Sequence, residues 1–291
     1  MFTDCIDLHI HSTASDGSDS PADIVRMASE AGLCAIALTD HDTLDGLDEA
    51  EREAERRGIL FVRGCEISTA TPWGEAHFLG LWIPHDKKRI RTLEEALKEI
   101  HQKRHERNLR IADKLCSLGF SVSYADAEKL AGGRIVGRPH FAELLCRMGV
   151  VKDRKEAFRT YLGRDGLAFV PRELPTPQEA IRLLKEAGAL VSMAHPRLLR
   201  ASVAELSSLL EELAPCGLDA LEAYHSEHNA GDVRDCVELA ERFHLQLTGG
   251  SDHHGLSKPQ ISIGRGKGAL NIRKHVYDKL MAYRAACAMT E

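Results

Sequence analysis

The sequence lacks the features that mark membrane proteins and disulfide-rich proteins. It has no apolar run long enough to cross a bilayer as a helix, and its first residues lead to a strand-like run rather than to a signal peptide. Its eight cysteines are widely spaced and include no CxxC pair, which argues against a disulfide framework. We therefore expect a cytoplasmic protein with reduced thiols and no membrane partner.

Internal repeats and low-complexity segments are also absent, and the composition is ordinary. The chain has 291 residues, of which 43% are hydrophobic and 28% are charged, values that are typical of a globular protein. A chain of this length can bury a large core. It could form one barrel, or a barrel with an inserted lobe.

Short apolar runs alternate with amphipathic helices along most of the chain. The predicted strands are 5–9, 34–39, 60–66, 75–82, 189–194, 220–224 and 245–248. The first predicted helix follows the Ser20-Pro21 cap and runs toward Glu30. Later helices are predicted over 43–57, 176–187, 203–213 and 229–243. This alternation predicts an α/β fold with a largely parallel sheet that is closed or nearly closed into a barrel.

The strand pattern is interrupted in the middle of the chain. Between 91 and 171 only helices are predicted, a long one over 92–118 and a shorter one after Pro139. We therefore predict a barrel domain made of 1–90 and 172–291, with a helical insertion, or cap, over 91–171.

Charge is distributed unevenly around a net value of −6. Residues 85–173 contain 20 Lys/Arg and 13 Asp/Glu, which leaves 18 basic and 31 acidic residues in the rest of the chain. The basic segment is an electropositive wall suited to an anionic substrate, or else the solvated face of a helical lobe. Bound cations would neutralise part of the remaining acidity.

Histidines and carboxylates form short motifs, several of which stand where a strand-like run stops. The motifs are Asp7-Leu8-His9-Ile10-His11-Ser12, Thr39-Asp40-His41-Asp42, Gly64-Cys65-Glu66, Glu75-Ala76-His77, Ala194-His195-Pro196 and Ser251-Asp252-His253-His254. The carboxyl ends of parallel barrel strands meet at one rim, and these side chains are ligands for Zn²⁺, Mn²⁺ or Fe ions. We therefore predict a multinuclear hydrolase site at that rim.

In identity and order, these motifs resemble those of the PHP (polymerase and histidinol phosphatase) superfamily, across nearly the whole chain outside the insertion. The resemblance implies a distorted seven-stranded (β/α) barrel with a trinuclear metal site. The first motif, the Gly-Arg-Pro-His run at 137–140 and the helical insertion resemble the stand-alone bacterial group. Members of that group are 3′,5′-nucleoside bisphosphate phosphatases and exonucleases that act on short RNA from its 5′ end.

Carried over residue by residue, the resemblance implies three sets of metal ligands. All are nitrogen or oxygen donors, which fit Mn²⁺, Fe²⁺ or Zn²⁺. The resemblance to the family favours Mn²⁺ among these ions. The first set is His9, His11, Glu66 and Asp252, the second is Asp16, His41 and His254, and the third is His77 and His195 with Glu66 as a bridge. Asp40 and Asp42 flank His41 and are expected to orient it.

The implied chemistry is hydrolysis by hydroxide. Closely spaced divalent ions lower the pKa of a shared water and clamp the phosphoryl oxygens, so no protein nucleophile is needed. Arg138 is the candidate phosphate clamp, and His225 could bind phosphate or protonate the leaving oxygen. Further candidates for substrate binding are Ser12, His140, Arg197 and Lys258, each of which could instead be a surface or capping residue.

Three functions are considered. The first is a metal-dependent phosphatase that removes the 3′-phosphate of nucleoside 3′,5′-bisphosphates. The second is a 5′-to-3′ exoribonuclease acting on short single-stranded RNA, and the third is a non-catalytic, metal-bound interaction module. The complete set of ligand positions argues against the third, and overall acidity disfavours duplex DNA as a partner. On the long helix, His101 and His105 lie among basic residues and are expected to form a solvated face.

Overall fold

The computed structural model describes residues 3–132 and 135–288, and the chain divides into two compact units. The first unit comprises Met1–Glu95 and Pro175–Glu291, and the second comprises Ala96–Leu174. Helix α3 (Lys87–Ser117) begins in the first unit and ends in the second. The role of 91–171 as a cap stays a prediction.

The first unit is built on one seven-stranded sheet whose strands follow the order of the chain. Neighbouring strands are parallel except at β3–β4 and β4–β5, so β4 alone runs against the other six. The strands are β1 (Ile6–Asp7), β2 (Ala35–Leu38), β3 (Leu60–Thr71), β4 (Gly74–Leu81), β5 (Leu190–Ala194), β6 (Ala220–His225) and β7 (Gln246–Gly250).

The sheet closes through backbone hydrogen bonds between the segments around β1 and β7. The Leu8 amide donates to Gly249 (3.1 Å), the Asp252 amide to His9 (2.8 Å) and the His11 amide to the carbonyl of His253 (3.0 Å). The predicted fold, a seven-stranded and nearly closed α/β barrel, is confirmed.

Helices in the first unit begin where the sequence places caps. The Ser20 hydroxyl accepts a hydrogen bond from the Asp23 amide, and Thr176 and Glu179 form a reciprocal capping box. The helices of this unit are α1 (Pro21–Glu30), α2 (Leu47–Arg57), α7 (Pro177–Glu186), α8 (Val203–Leu213), α9 (Ala230–Arg242) and α10 (Lys274–Ala288). Among the described residues, no helix is both long and apolar enough to cross a bilayer.

The second unit is helical throughout its described residues and has its own hydrophobic core. Phe141, Leu145, Ile111 and Leu115 are all fully buried in that core. Besides the second part of α3, the unit contains α4 (Tyr124–Ala131), α5 (Arg138–Arg147) and α6 (Arg154–Ala157), and α6 continues into a π-helical turn over Phe158–Leu162.

Some element boundaries lie away from their predicted positions. Helix α2 begins four residues later than predicted, because 43–46 form a turn in which the Thr43 hydroxyl accepts a hydrogen bond from the Asp45 amide. Strand β3 runs five residues past Glu66, because its second half pairs with β4. Helix α10 was not predicted, since it buries only Val276 and Leu280 and so lacks a clear apolar stripe.

Glycine at position 250 is required where the barrel closes. A Cβ atom there would lie 2.3 Å from the Cβ of His9 and 2.4 Å from its backbone nitrogen. Because a backbone atom cannot move aside as a flexible side chain can, β7 approaches the first motif this closely only with glycine. The closure of the barrel and the placement of His9 therefore depend on the same residue.

We predict that Gly250→Ala lowers the free energy of unfolding by about 3 kcal/mol, at the upper end of the usual range for overpacking. The matched control is Gly58→Ala at the end of α2, where φ is +68° and no atom lies within 4 Å of the added methyl group. It should cost only about 1 kcal/mol of left-handed strain. Urea denaturation of both variants measures the difference, and equal losses would contradict the role of the contact with His9.

Candidate metal centre

The structure brings all nine predicted metal ligands together in the barrel unit. Each has a side-chain nitrogen or oxygen within 3.4 Å of a ligating atom of another member. The elements explain this, because six strands end at one rim and the reversed strand β4 begins there. The nine residues are His9, His11, Asp16, His41, Glu66, His77, His195, Asp252 and His254.

Glu66 lies at the centre of the cluster and is fully buried. Its Oε1 is 3.0 Å from His77 Nδ1 and 3.0 Å from His195 Nε2. Its Oε2 lies 3.0 Å from His41 Nδ1, and two further imidazole nitrogens, those of His9 (3.4 Å) and His11 (3.2 Å), face the same oxygen. Five histidines thus surround one carboxylate, which suits it to bridge cations.

Within the cluster, the ligand atoms form three overlapping groups in which they lie within 4.8 Å of one another. His11 belongs to two of them, since its Nε2 lies 3.2 Å from Glu66 Oε2 while its Nδ1 faces Asp16 at 3.9 Å. The groups are His11, Asp16, His41 and His254; His9, His11 and Glu66; and His41, Glu66 and His77. They overlap the predicted sets without reproducing them, and the assignment of ligands to individual ions stays a prediction.

The electrostatics of the cluster favour ionised carboxylates. Burial opposes ionisation of Glu66, but the positive charges of His41, His9 and His77 outweigh it and hold the pKa of the carboxyl well below its usual range. For Asp252, Lys258 and three histidines outweigh burial in the same way, and the pKa is again well below the usual value. The carboxylates are therefore stable as anions in this buried cluster only because positive charge lies beside them.

Three buried atoms of the cluster support a fit to cations. Although His41 Nδ1 and Glu66 Oε2 lie 3.0 Å apart, neither of these atoms nor His11 Nδ1 makes a hydrogen bond of acceptable geometry among the described residues, whereas buried polar atoms are ordinarily satisfied. Burial also lowers the pKa of His195 to about 4, so this imidazole is neutral at pH 7 and keeps a nitrogen lone pair. Imidazole nitrogens and carboxylate oxygens match the ligand chemistry of Mn²⁺, Fe²⁺ and Zn²⁺.

Two other groups do not fit a metal site. Cys65 adjoins Glu66, but successive side chains of a strand point to opposite faces, and burial raises the pKa of its thiol. Asp48, Glu51 and His85 lie close together near the surface. There, the Arg63 guanidinium already donates to both carboxylates at 2.8 Å, so a cation is already supplied by the protein.

His225 and Lys258 lie next to the cluster, on the far side of Asp252. Lys258 Nζ donates to Asp252 Oδ2 at 2.5 Å, and His225 Nε2 lies 3.4 Å from the same oxygen. The Glu227 amide donates to His225 Nδ1 at 3.1 Å. In the neutral ring the proton is therefore on Nε2, facing Asp252.

The other predicted substrate residues already have partners. The Ser12 hydroxyl is buried and donates to Asp40 at 2.6 Å, and Arg197 pairs with Asp232 at 3.2 Å. Arg138 and His140 lie in the helical unit at the start of α5, where the Arg138 guanidinium stacks over the Phe158 ring and His140 Nδ1 accepts from the Gly137 amide.

The orienting role expected of Asp40 and Asp42 beside His41 stays a prediction. Asp40 accepts hydrogen bonds from Ser12 of the first motif and from Ser15, and Asp42 accepts one from the Ser68 amide of β3.

One prediction in the second unit is wrong, namely the solvated face on α3. The His105 ring packs edge-on against Tyr124 at 4.6 Å between centroids, and His101 is only partly exposed. Tyr124 at the start of α4 covers His105, a tertiary contact that the charge pattern of the helix does not report.

Glu222 was missed by the sequence analysis although it contacts the cluster. This carboxylate is fully buried in β6, and both of its oxygens lie within 3.2 Å of His9 Nδ1. The available signal was one acidic residue inside an apolar strand-like run, Ala220–His225. Such a residue costs free energy unless it is paired, and no motif included it.

Comparison with known proteins gives one family and a group of phosphoesterases. The model of the PHP domain family matches residues 7–148. The chain is 34% identical to the 5′-3′ exoribonuclease of Haemophilus influenzae, over 85% of this chain and 89% of that protein. It is 32% identical to the phosphoribosyl 1,2-cyclic phosphate 1,2-diphosphodiesterase of Eggerthella lenta, over 86% and 94% respectively.

A third relative is the 3′,5′-nucleoside bisphosphate phosphatase of Chromobacterium violaceum, which is 29% identical over 95% of this chain and 96% of its own length. Among solved structures, one described as a metal-dependent phosphoesterase of Bifidobacterium adolescentis aligns with a TM-score of 0.80. That alignment covers 95% of each chain at 28% identity.

If the cluster holds divalent cations, adding them should raise the Tm, because a ligand that binds only the folded state stabilises it. At about 100 times the Kd, the shift in wild type should be roughly 5 °C or more. His41→Ala should lose most of this shift, since it removes a nitrogen that faces Glu66. The matched control is His85→Ala, which alters the surface group of Asp48, Glu51 and His85 and leaves the cluster intact. Its rise in Tm on adding the cations should equal that of wild type. A full shift in His41→Ala would contradict the assignment.

Proposed function

Because the chain belongs to the PHP domain family and is a metal-dependent phosphoester hydrolase, we propose that it removes the 3′-phosphate of nucleoside 3′,5′-bisphosphates and leaves 5′-mononucleotides. The observation that carries the proposal is the cluster of nine imidazole and carboxylate residues around Glu66. The similarity to a 3′,5′-nucleoside bisphosphate phosphatase over 95% of this chain supports the choice of substrate.

The proposed cofactor is a set of three divalent ions, with Mn²⁺ favoured and Zn²⁺ or Fe²⁺ as alternatives. Nine donors divided among three ions leave open positions for water and substrate, which a catalytic site requires. When bound, these ions would supply the positive charge that activates water and offsets the charge developing on the phosphoryl group. The ligands would be those predicted from the sequence, with Glu66 as the shared carboxylate.

Protein groups beside the cluster suit the handling of protons and phosphate. Asp252 presents Oδ1 to His9, His11 and His254, while its Oδ2 accepts from Lys258. His225 holds a proton on Nε2 beside the same oxygen. We propose that His225 directs this N–H to a phosphate oxygen as a hydrogen-bond donor, and that Lys258 binds another phosphate oxygen through its ammonium group. Protonation of the leaving oxygen by His225 would require the imidazolium form, in which Nδ1 gives up its hydrogen bond from the Glu227 amide.

The second phosphate of the substrate would serve as a binding handle. We keep Arg138 as its proposed clamp, because a guanidinium offers paired donors to a phosphate and because residues 85–173 carry an excess of seven basic residues. Ser12, His140 and Arg197 remain weaker candidates, since each already contacts a protein partner. Eight free cysteines support a reducing compartment, and we propose that the enzyme acts in the cytoplasm.

Exonucleolytic cleavage of short RNA is the second candidate, and the similarity to a 5′-3′ exoribonuclease favours it. An exonuclease that leaves 5′-mononucleotides breaks the same bond as the proposed phosphatase, between O3′ and phosphorus. The two substrates differ in the group attached to that phosphate. The same metal centre could therefore serve either activity.

Elemental analysis tests the proposed number of ions. After dialysis against Mn²⁺, we expect close to three metal ions per chain in wild type and no turnover in Asp252→Ala. The variant should remain folded, because the apolar core does not contain this residue, and circular dichroism checks that. One ion or none in wild type would contradict the trinuclear proposal, and surviving activity in Asp252→Ala would contradict the ligand assignment.

Kinetics on matched nucleotides test the substrate. We expect kcat/KM for an adenosine 3′,5′-bisphosphate to exceed that for the 3′-mononucleotide by at least about tenfold, since the non-reacting 5′-phosphate orients the reacting one. Arg138→Ala should reduce this preference, whereas Arg147→Ala, which removes an exposed partner of Glu143, should leave it unchanged.

Phosphorus NMR of the products identifies the phosphate that leaves. A 5′-mononucleotide and inorganic phosphate are expected. A 3′-mononucleotide product, or equal rates with and without the 5′-phosphate, would contradict the proposed substrate. Faster turnover of a 5′-phosphorylated RNA trimer than of the bisphosphate would favour the exoribonuclease.

A further inference from the structure

Glu222 contacts two predicted metal ligands without itself belonging to any of the metal-ligand groups found. Its carboxylate is fully buried in β6. Oε1 lies 3.1 Å from His9 Nδ1, and Oε2 accepts a hydrogen bond of 2.7 Å from the backbone amide of His195. A carboxylate has enough lone pairs for both donors, so both of its oxygens are used.

The contact with His9 determines which ring nitrogen is available to a cation. Nδ1 faces Glu222, whereas Nε2 faces His11, Glu66 and Asp252 at 3.1–3.7 Å. A carboxylate beside Nδ1 accepts a hydrogen bond and therefore keeps a proton there. The Nε2 lone pair is then directed toward the other ligands.

The contact with His195 fixes a backbone conformation that this residue would otherwise avoid. His195 has φ 26° and ψ 54°, a left-handed conformation that costs free energy in any residue other than glycine. It also precedes Pro196, which further disfavours helical backbone angles. The hydrogen bond to Glu222 helps to hold the turn after β5, and in this turn His195 Nε2 lies 3.0 Å from Glu66.

We propose that Glu222 is a positioning residue that sets His9 and His195 together, and so couples two of the three predicted metal sets. The proposal rests on the metal centre proposed above. His9 belongs to the first predicted set and His195 to the third, and their rings stack at 5.7 Å between centroids. Loss of the carboxylate should therefore weaken binding of ions in both sets, although Glu222 itself binds none.

The amide variant Glu222→Gln separates this role from simple packing, because it keeps the volume but has only one acceptor oxygen. The backbone amide of His195 is always a donor, so it takes that oxygen. The amide nitrogen then faces His9 and donates a hydrogen bond to Nδ1, so the ring proton moves to Nε2. Nε2, which faces the other predicted ligands, could then no longer bind a cation.

The matched control is Asp219→Asn, three residues earlier in the chain. Asp219 is also a buried carboxylate, and it accepts hydrogen bonds from the Val191 amide and from Lys185. It contacts none of the nine predicted ligands. Both variants lose one buried negative charge near β5 and β6, and only Glu222→Gln alters the contacts with His9 and His195.

The test is a titration of metal-free protein with Mn²⁺ against a competing chelator, followed by a count of bound ions. We expect a 10- to 100-fold weaker affinity in Glu222→Gln, the range usual for groups that orient metal ligands, and loss of more than one ion per chain. Asp219→Asn should bind as wild type. Wild-type affinity and ion count in Glu222→Gln would overturn the proposal.

A second measurement uses wild-type protein alone, so it does not depend on the folding of a variant. In wild-type protein loaded with Zn²⁺, ¹⁵N NMR of the histidine rings should show a proton on His9 Nδ1 and coordination through Nε2. Coordination through Nδ1 would overturn the proposal. If wild type binds no divalent ion, the metal centre fails together with this inference. If binding depends on Glu222 but bisphosphates are not hydrolysed, only the proposed substrate fails.

Discussion

The rest of the site depends on the burial of the Glu66 carboxylate among five imidazole rings. A carboxylate without solvent is expensive unless positive charge or hydrogen bonds surround it. His9, His11, His41, His77 and His195 supply ring nitrogens at 3.0–3.4 Å from its two oxygens. The histidines come from four separate segments of the chain. The barrel must therefore close before the carboxylate is compensated, and the site is formed by the complete fold and not by any local element.

The reversed strand β4 is what allows Glu66 and His77 to meet. In a barrel with only parallel strands, each strand would deliver ligands at its carboxyl end alone. The hairpin between β3 and β4 extends β3 beyond Glu66 and places the beginning of β4 at the same rim, where His77 pairs with Ala194 of β5. His195 follows immediately, and both of these histidines then face Glu66 Oε1. The exception to the parallel order is thus part of the construction of the site.

Much of this could be predicted from the sequence, because local patterns encode it. The seven strands, the caps of α1 and α7, and the order of the ligand motifs all depend on residues close together in the chain. The hydrogen bond between Asp42 and the Ser68 amide instead joins residues that are far apart in the sequence. Glu222 has no motif around it, and its importance arises from contacts with His9 and His195, more than 25 residues away. Features determined by such long-range pairs have no periodic signal along the chain.

Selectivity between phosphatase and exoribonuclease activity must come from residues outside the ligand cluster. Both reactions require water to be activated and the same bond, between O3′ and phosphorus, to be broken, so the nine ligands serve either one equally well. A monoester presents one more ionised oxygen than a diester, whereas RNA presents a further nucleotide that needs space and additional phosphate contacts. Lys258 is fixed on Asp252 at 2.5 Å and would favour the more highly charged monoester. A preference for RNA would instead require basic residues arranged along several phosphates. Residues 85–173 contain 20 basic residues, more than the 18 in the rest of the chain, so a preference for RNA would have to draw on charge outside the ligand cluster.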